Sequence, residues 1–568
     1  MRTSEESPLE SQDSIEATTL GQLLVQAAAR DGDHIVVVTE GERISYSELL
    51  ENAEIFARGF LALGVERGDH VGIFMPNGLR FLQVLFGASM IGAIVVPIHS
   101  RFRTEELRHI VRNGDLRVVC TSGEAIEVDH ASRFCEAFPE LATVSGSDGF
   151  NIVEIPLLRH VVAFDTSTTF ESFVDEKQFF SRARSISNGA LLECYDLVGR
   201  QDVAMILYTS GTTAHPKGCV HTHNGLVRNG MNMGRTRFFL TAEDRFFDPL
   251  PMFHVGFLLP MMAVMDAGAT LLVMSKMDGG NALDMIERER ATWLFPAFPA
   301  VANALLDHST FSSRDLSSVR MTMCTGAEPM LRRLQTSLPS SIQISTYGST
   351  ETGGVVVYHL PTDDAKVRST SCGTPMRGVE IRVDSLQTGV SARPGEIGEI
   401  RVRGYSVLEE YYRDGAATRL AIDAQGWLHT GDLGDLDELG RLSFHGRLSD
   451  VIKVGGENVS PLEVETIISR HPSVVAVQVV GTPDDRLDEV VAAFVEVRDG
   501  SPVSEEEIIL FCQGKIASFK IPKLVRFVDE WPMSATKIQK NVLRSRLSEE
   551  LSNLASTDSH TSTVNDSK

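Results

Sequence analysis

The stretch Leu207-Tyr-Thr-Ser-Gly-Thr-Thr-Ala-His-Pro-Lys-Gly218 decides how this chain is read. It overlaps the apolar run Val203-Ala-Met-Ile-Leu207, short and bounded by polar residues, which reads as a buried strand. After the strand come hydroxyl residues around a glycine, and then a single cation. A segment so rich in backbone N–H and side-chain O–H donors, closed by Lys217, has the chemistry of a polyphosphate cradle. It is not the Walker loop, because no glycine precedes Lys217 and no Ser or Thr follows it. The plain alternative is a strand-to-helix turn with ordinary Ser/Thr capping.

Working outward, apolar runs of strand length alternate with helical patterns over residues 20–360. Residues 70–75, 93–98, 117–120, 203–207, 270–274 and 320–324 are the expected strands. This alternation predicts an α/β protein of stacked layers with mostly parallel sheets. Between 371 and 405 the texture changes to short alternating strands with Gly and Pro turns, as in Arg393-Pro-Gly-Glu-Ile-Gly-Glu-Ile-Arg401, which predicts a small β subdomain. Another boundary falls at Gly446-Arg-Leu-Ser-Asp450. Beyond it, Ser460-Pro-Leu-Glu463 reads as a capping box opening a helix to about residue 470. Residues 474–480, 490–497 and 524–528 read as strands, and Ser504-Glu-Glu-Glu507 as a second capping box. The expected organisation is a disordered tail over 1–18, a large domain over 19–446, a small mobile α+β domain over 447–550, and a disordered tail over 551–568.

A chain of 568 residues is too long for one core. Its 42% hydrophobic content and mean hydropathy of −0.02 are ordinary for a globular enzyme. A formal charge of −23 argues against nucleic acid as a general partner, so an anionic ligand must meet local cations. Seven cysteines without a C-x-x-C pair predict reduced thiols and a cytoplasmic location. The N-terminal residues lack the basic start and apolar core of a signal peptide, and the chain does not end in Ser-Lys-Leu. The most apolar stretch, residues 250–274, is too broken by Pro251, Pro260 and Asp266 to span a membrane and is expected as core.

Downstream of the loop lie Gly326-Ala-Glu-Pro329, Tyr347-Gly-Ser-Thr-Glu351, His429-Thr-Gly-Asp432, Gly446-Arg447, Lys453-Val-Gly-Gly-Glu-Asn458 and Thr536-Lys537-Ile-Gln-Lys540. In this order and spacing, over residues 20–547, they resemble the adenylate-forming enzymes: acyl-CoA synthetases, luciferases and adenylation domains. Residues 455–465 and 517–522 look most like the acyl-CoA ligases, leaning toward those for short or medium acids such as crotonobetaine/carnitine.

The resemblance implies two half-reactions. A carboxylate attacks the α-phosphate of Mg-ATP to give an acyl-adenylate and pyrophosphate; a thiol then expels AMP. Catalysis of the first step needs positioning and cations more than acid/base groups. On this pattern Thr209, Ser210, Gly211, Thr212, Thr213 and Lys217 grip the β- and γ-phosphates. Tyr347, continuing into Gly348 and Ser349, stacks on adenine opposite Gly326, Ala327, Glu328 and Pro329. Thr350 touches the α-phosphate, Glu351 holds Mg²⁺, and Asp432 accepts both ribose hydroxyls with Arg447 in reach. Lys537 is the implied catalytic lysine, bridging the carboxylate and the α-phosphate. The segment departs from the family there: Thr536 stands where Gly is usual, and the spacing from Pro532 is one residue short, which leaves Lys540 as an alternative. Ala214 and Ser449 are further departures.

Phe253, His254, Gly256 and Gly353 fall on the family's acyl-binding segments, and the resemblance also implies catalytic roles for His254, beside the substrate carboxyl, and for Thr350 along with Lys537. No Asp lies in the position that holds an α-amino group, so an amino acid substrate is disfavoured. By the same resemblance, Gly455 and Gly456 are expected to form one wall for pantetheine, with Lys453 and Lys520 as cations for CoA. The expected partners are therefore a small carboxylic acid, ATP, Mg²⁺ and CoA, with a homodimer possible. The alternatives are an enzyme loading a separate carrier protein and a nucleotide binder without activity.

Overall fold

The computed structural model describes residues 18–125, 128–144, 149–166, 168, 170–209, 216–484, 486–498, 500, 501, 503–534 and 537–562. Two large, mostly parallel sheets carry the architecture. One runs Glu410–Tyr411, Lys217–Thr222, Val203–Thr209, Ile94–Pro97, His70–Phe74, Leu116–Ser122, His160–Phe164, Val174–Asp175. The other runs Ile342–Ile344, Met321–Cys324, Trp293–Ala297, Arg245–Asp248, Thr270–Val273, Ile35–Val38, Arg43–Ser45.

Strand residues divide by parity between cores, as the two-residue period requires. Val71 and Ile73 join a cluster that also holds Val37, Phe246 and Trp293 of the second sheet, together with helices Tyr46–Ala62, Leu79–Met90 and Val255–Ala267. Their chain neighbour Phe74 joins a cluster with helices Thr104–Asn113 and His130–Ala137. Phe247 of the second sheet packs with helices Gly279–Arg288 and Glu328–Ser337. Helices therefore lie between the sheets and on both outer faces. This is the expected stacking of layers.

A short antiparallel sheet follows (Thr346–Ser349, Gly354–Tyr358, Thr374–Pro375), then a four-stranded one of Val379–Ser385, Gly398–Gly404, Leu428–Leu436 and Leu442–Arg447. The latter is the β subdomain expected from the Gly/Pro texture. The C-terminal part has its own sheet, including Val474–Asp484, Asp488–Val497 and Leu524–Phe527, and its own apolar clusters around Val479, Val495 and Ile508 and around Phe494 and Leu543.

Several local expectations need correcting. The loop after Val203–Thr209 does not lead directly into a helix. The chain returns as the antiparallel strand Lys217–Thr222, with Thr209 opposite Lys217, and only then enters helix His223–Met233. Ser460 is the N-cap residue of helix Pro461–Ile468 but makes no cap bond; its hydroxyl donates to the His445 carbonyl at 2.5 Å. Glu463 is drawn away by Lys520, so the capping box does not close. Ser504 and Glu507 do form one. Thr18, placed in the N-terminal tail, is buried and donates to Gln22 Oε1 at 2.7 Å. The helix Lys540–Ser562 continues past the expected boundary at 551, started by Leu543 and Leu547 packing on Phe494.

The apolar stretch around 250–274 contains helix Val255–Ala267, buried as expected. Among the described residues no helix is long and apolar enough to cross a membrane.

Candidate active site

The hairpin Thr346–Ser349/Gly354–Tyr358 presents the Tyr347-Gly-Ser-Thr-Glu segment at its turn. Gly348 is required by packing: a Cβ there would sit 2.2 Å from the Gly354 carbonyl oxygen. Thr352 locks the turn, with its hydroxyl donating toward Gly354 O at 2.7 Å and accepting from Ser349 N at 2.8 Å. Gly353 has φ +68, and a Cβ would meet Ser406 O at 2.5 Å. Buried Asn229 donates to the Gly353 and Val355 carbonyls at 3.0 and 3.1 Å, fixing the hairpin to helix His223–Met233.

Tyr347 is buried, and its hydroxyl donates to Asp432 Oδ2 at 2.8 Å. Burial first, and then the Asp432 charge, push that hydroxyl well above the usual tyrosine range, so it remains a donor. Asp432 is 4% exposed. Arg447, opposite it across the strand pair, brings Nε to 3.2 Å from Oδ1. The Tyr347 ring lies 5.9 Å from that of Phe444. Tyr347 is thus both a core aromatic and a brace for Asp432.

Lys217 and Glu351 meet through a residue that no sequence motif singles out. Tyr411 donates to Glu351 Oε1 at 3.2 Å, and Lys217 Nζ lies 5.2 Å from the centroid of its ring. Thr350 is held by another residue outside the motifs: buried His221 donates from Nε2 to the Thr350 carbonyl at 2.8 Å. Burial brings the His221 pKa down to about 4, so the imidazole is neutral and the Nε2–H tautomer is the one that satisfies the carbonyl.

Thr209 ends the strand opposite Lys217, whereas Ser210, Gly211, Thr212 and Thr213 lie outside the described residues, as do Ala214 and Thr536. Ala327 caps helix Glu328–Ser337 with Pro329 in its first turn. Gly326 is spaced for contact with Pro299, to whose Cγ a Cβ would come within 3.1 Å. Glu328 accepts from Arg332 at 2.7 Å and from Arg470 of the C-terminal part at 3.3 Å.

Phe253 and His254 precede helix Val255–Ala267, with Gly256 in its first turn. Their rings form a cluster with His99 and Phe102: His99 lies 4.3 Å from Phe253, 5.9 Å from His254 and 4.9 Å from Phe102. Burial and Arg101 bring His99 down to about 4. His99 and Phe102 were also missed, because nothing in residues 99–102 marks them from sequence.

In the C-terminal part, Gly455 lines a cavity of about 310 Å³ with Leu487, Phe519 and Lys523. Gly456 is open, with nothing within 4 Å of where a Cβ would stand. Lys453 is exposed, whereas the Lys520 ammonium is committed to Glu463 at 2.7 Å. Lys537 pairs through its backbone with Ser534 in a two-residue strand; its side chain falls outside what is described. Lys540, the alternative lysine, pairs with Glu465 at 2.7 Å and is occupied within its own module. No cluster of three or more metal-ligating side chains occurs among the described residues. A lone Glu351 carboxylate instead fits an ion that completes its shell with phosphate oxygens and water, as magnesium does.

The family model described as AMP-binding enzyme matches residues 24–412, and that for the AMP-binding enzyme C-terminal domain matches residues 463–537. A 3-[(3aS,4S,7aS)-7a-methyl-1,5-dioxo-octahydro-1H-inden-4-yl]propanoyl:CoA ligase of Mycobacterium tuberculosis is 34% identical over 90% of this chain and 96% of its own length. The mitochondrial medium-chain acyl-CoA ligase of Homo sapiens is 30% identical over 94% of this chain and 89% of its own. Among solved structures, ATP-bound MatB from Rhodopseudomonas palustris superposes with a TM-score of 0.80 at 25% identity, covering 93% of this chain and 99% of that one.

Proposed function

Since the chain belongs to the AMP-binding enzyme family, in its acyl-CoA synthetase branch, we infer that it is an AMP-forming carboxylic acid–CoA ligase. The observation that carries the reading is the Tyr347–Asp432–Arg447 cluster: a buried carboxylate, braced by an aromatic hydroxyl and covered by a guanidinium, suits a ribose diol beside a purine.

In this reading Asp432 takes the ribose hydroxyls, and Tyr347 lies along adenine opposite the Gly326–Pro329 segment. The hydroxyl-rich loop from Thr209, with Lys217, receives the β- and γ-phosphates. Thr350, fixed through its carbonyl by His221, faces the α-phosphate. Glu351 would hold a magnesium ion, which when bound would supply positive charge for the leaving pyrophosphate. Lys537 supplies the cation that bridges the attacking carboxylate and the α-phosphate, where charge grows most in the transition state. A swing of the C-terminal module about residues 447–450 then exchanges Lys537 for the Gly455-Gly456 face, along which the CoA thiol enters.

The acid is a short or medium non-amino carboxylic acid, lodged against Phe253, His254, Gly256 and Gly353. Support comes from the aromatic cluster there, in which burial lowers the His99 pKa to about 4, and from relatives named for a medium-chain and a ring-bearing propanoyl group. Those relatives are CoA ligases by name, which disfavours loading of a carrier protein. The seven cysteines are all free thiols, in keeping with a cytoplasmic location.

The test is a panel of acids from acetate to long-chain and aromatic, scored for AMP release with and without CoA. CoA-dependent AMP with at least one short or medium acid is the expected result. Pyrophosphate exchange without CoA-dependent AMP on any acid would refute the ligase assignment.

A further inference from the structure

Lys217 and Glu351 carry opposite charges on neighbouring elements of a partly buried site, where attraction between them is strengthened. Left alone they would pair. The pair would cancel the cation meant for phosphate and the carboxylate meant for a metal, and an incoming nucleotide would have to break it. Among the described residues no carboxylate pairs with Lys217. Its ammonium rests instead on the face of Tyr411, and the hydroxyl of the same ring holds Glu351.

Tyr411 is well placed for this. It is buried, its backbone pairs with Cys219 two residues past Lys217, and its N–H donates to Thr418 Oγ1 at 2.9 Å.

We propose that Tyr411 is a positioning residue that keeps Lys217 and Glu351 apart and aimed, so that the magnesium–triphosphate end of ATP meets a site already arranged for it. The proposal rests on the nucleotide reading above. Such preorganisation lowers the reorganisation needed on binding and stabilises charge where it develops.

The experiment measures ATP binding by calorimetry on the full chain, with and without Mg²⁺, so no acid or turnover is needed. Tyr411→Phe keeps the ring under Lys217 and removes only the hydroxyl. It is expected to weaken Mg-ATP binding roughly tenfold, the size of one hydrogen bond to a charged group, and to leave metal-free ATP binding unchanged. In a Glu351→Gln background, Tyr411→Phe should add nothing, because the group it acts through has lost its charge. Tyr411→Leu, which also removes the ring, should weaken metal-free ATP binding as well.

A Tyr411→Phe chain that binds Mg-ATP like its parent overturns the proposal and leaves the ligase reading intact. So does an equal loss with and without metal, or in both Glu351 backgrounds, since a purely structural tyrosine would behave that way. A parent chain that binds no Mg-ATP overturns both.

Discussion

Replacing Asp432 with Asn tests the nucleotide site most directly. Asp432 is 4% exposed and holds the Tyr347 hydroxyl at 2.8 Å, so a ribose that reaches it does so in a poorly solvated setting. A hydrogen bond from a hydroxyl to a buried carboxylate contributes about 1.5–3 kcal/mol. Asn keeps one neutral acceptor but turns the second oxygen into a donor, so one charge-assisted bond is lost and the other weakened. Arg447 must also leave Asp432 when the ribose enters; with its side chain 48% exposed, that pair is worth at most about 1 kcal/mol, and its absence in the variant returns part of the loss. The net penalty is about 2–3 kcal/mol, or roughly 30- to 150-fold in affinity for ATP and for AMP. Calorimetry with ATP, AMP and 2′,3′-dideoxy-ATP checks it. Parent and variant should bind the dideoxy nucleotide alike, since the hydroxyls that tell them apart are gone. If Asp432→Asn costs as much with the dideoxy nucleotide as with ATP, the ribose role is wrong.

Lys537→Ala should cut adenylate formation, read as acid-dependent pyrophosphate exchange, by orders of magnitude while thioester formation from pre-made acyl-adenylate persists; equal loss in both steps would move the catalytic cation elsewhere. Asp248 is fully buried, and burial pushes its carboxyl well above the usual range, with only the Leu250 amide opposing. A folded pKa above the unfolded one means stability is complete below about pH 4 and falls as pH rises, by about 1.4 kcal/mol per pH unit until the folded pKa is reached. Asp248→Asn should therefore gain melting temperature on the parent between pH 5 and pH 7, and parallel melting curves across that range would contradict the assignment.

The layered fold was legible because its strands are short apolar runs whose two faces both meet helices; Val71 and Phe74 show that pattern in one strand. The strand Lys217–Thr222 was not, because Gly218, His221 and Thr222 break the apolar run and its identity comes from pairing with Val203–Thr209. The same holds for the site. Tyr347, Glu351, Asp432 and Arg447 stand in motifs and can be singled out from the sequence as candidates. Tyr411, His221 and His99 act through partners far along the chain, and no local spacing marks them: Tyr411 reaches Glu351 only because its strand pairs with Cys219. Ser460 shows the converse, a capping signature overruled when a carbonyl of another strand came within reach of its hydroxyl.

Arg447 covers Asp432 and is also the last residue of its strand before the turn Leu448–Asp450, from which the C-terminal module departs. On the proposed reading, a nucleotide that claims Asp432 would lift Arg447, and lifting it would loosen the root of the module proposed to swing. Linkage would make the effect mutual: a posture of the module that draws Arg447 back would raise nucleotide affinity by the same factor that the nucleotide favours that posture. On that reading, occupancy and posture would report on each other through a single guanidinium.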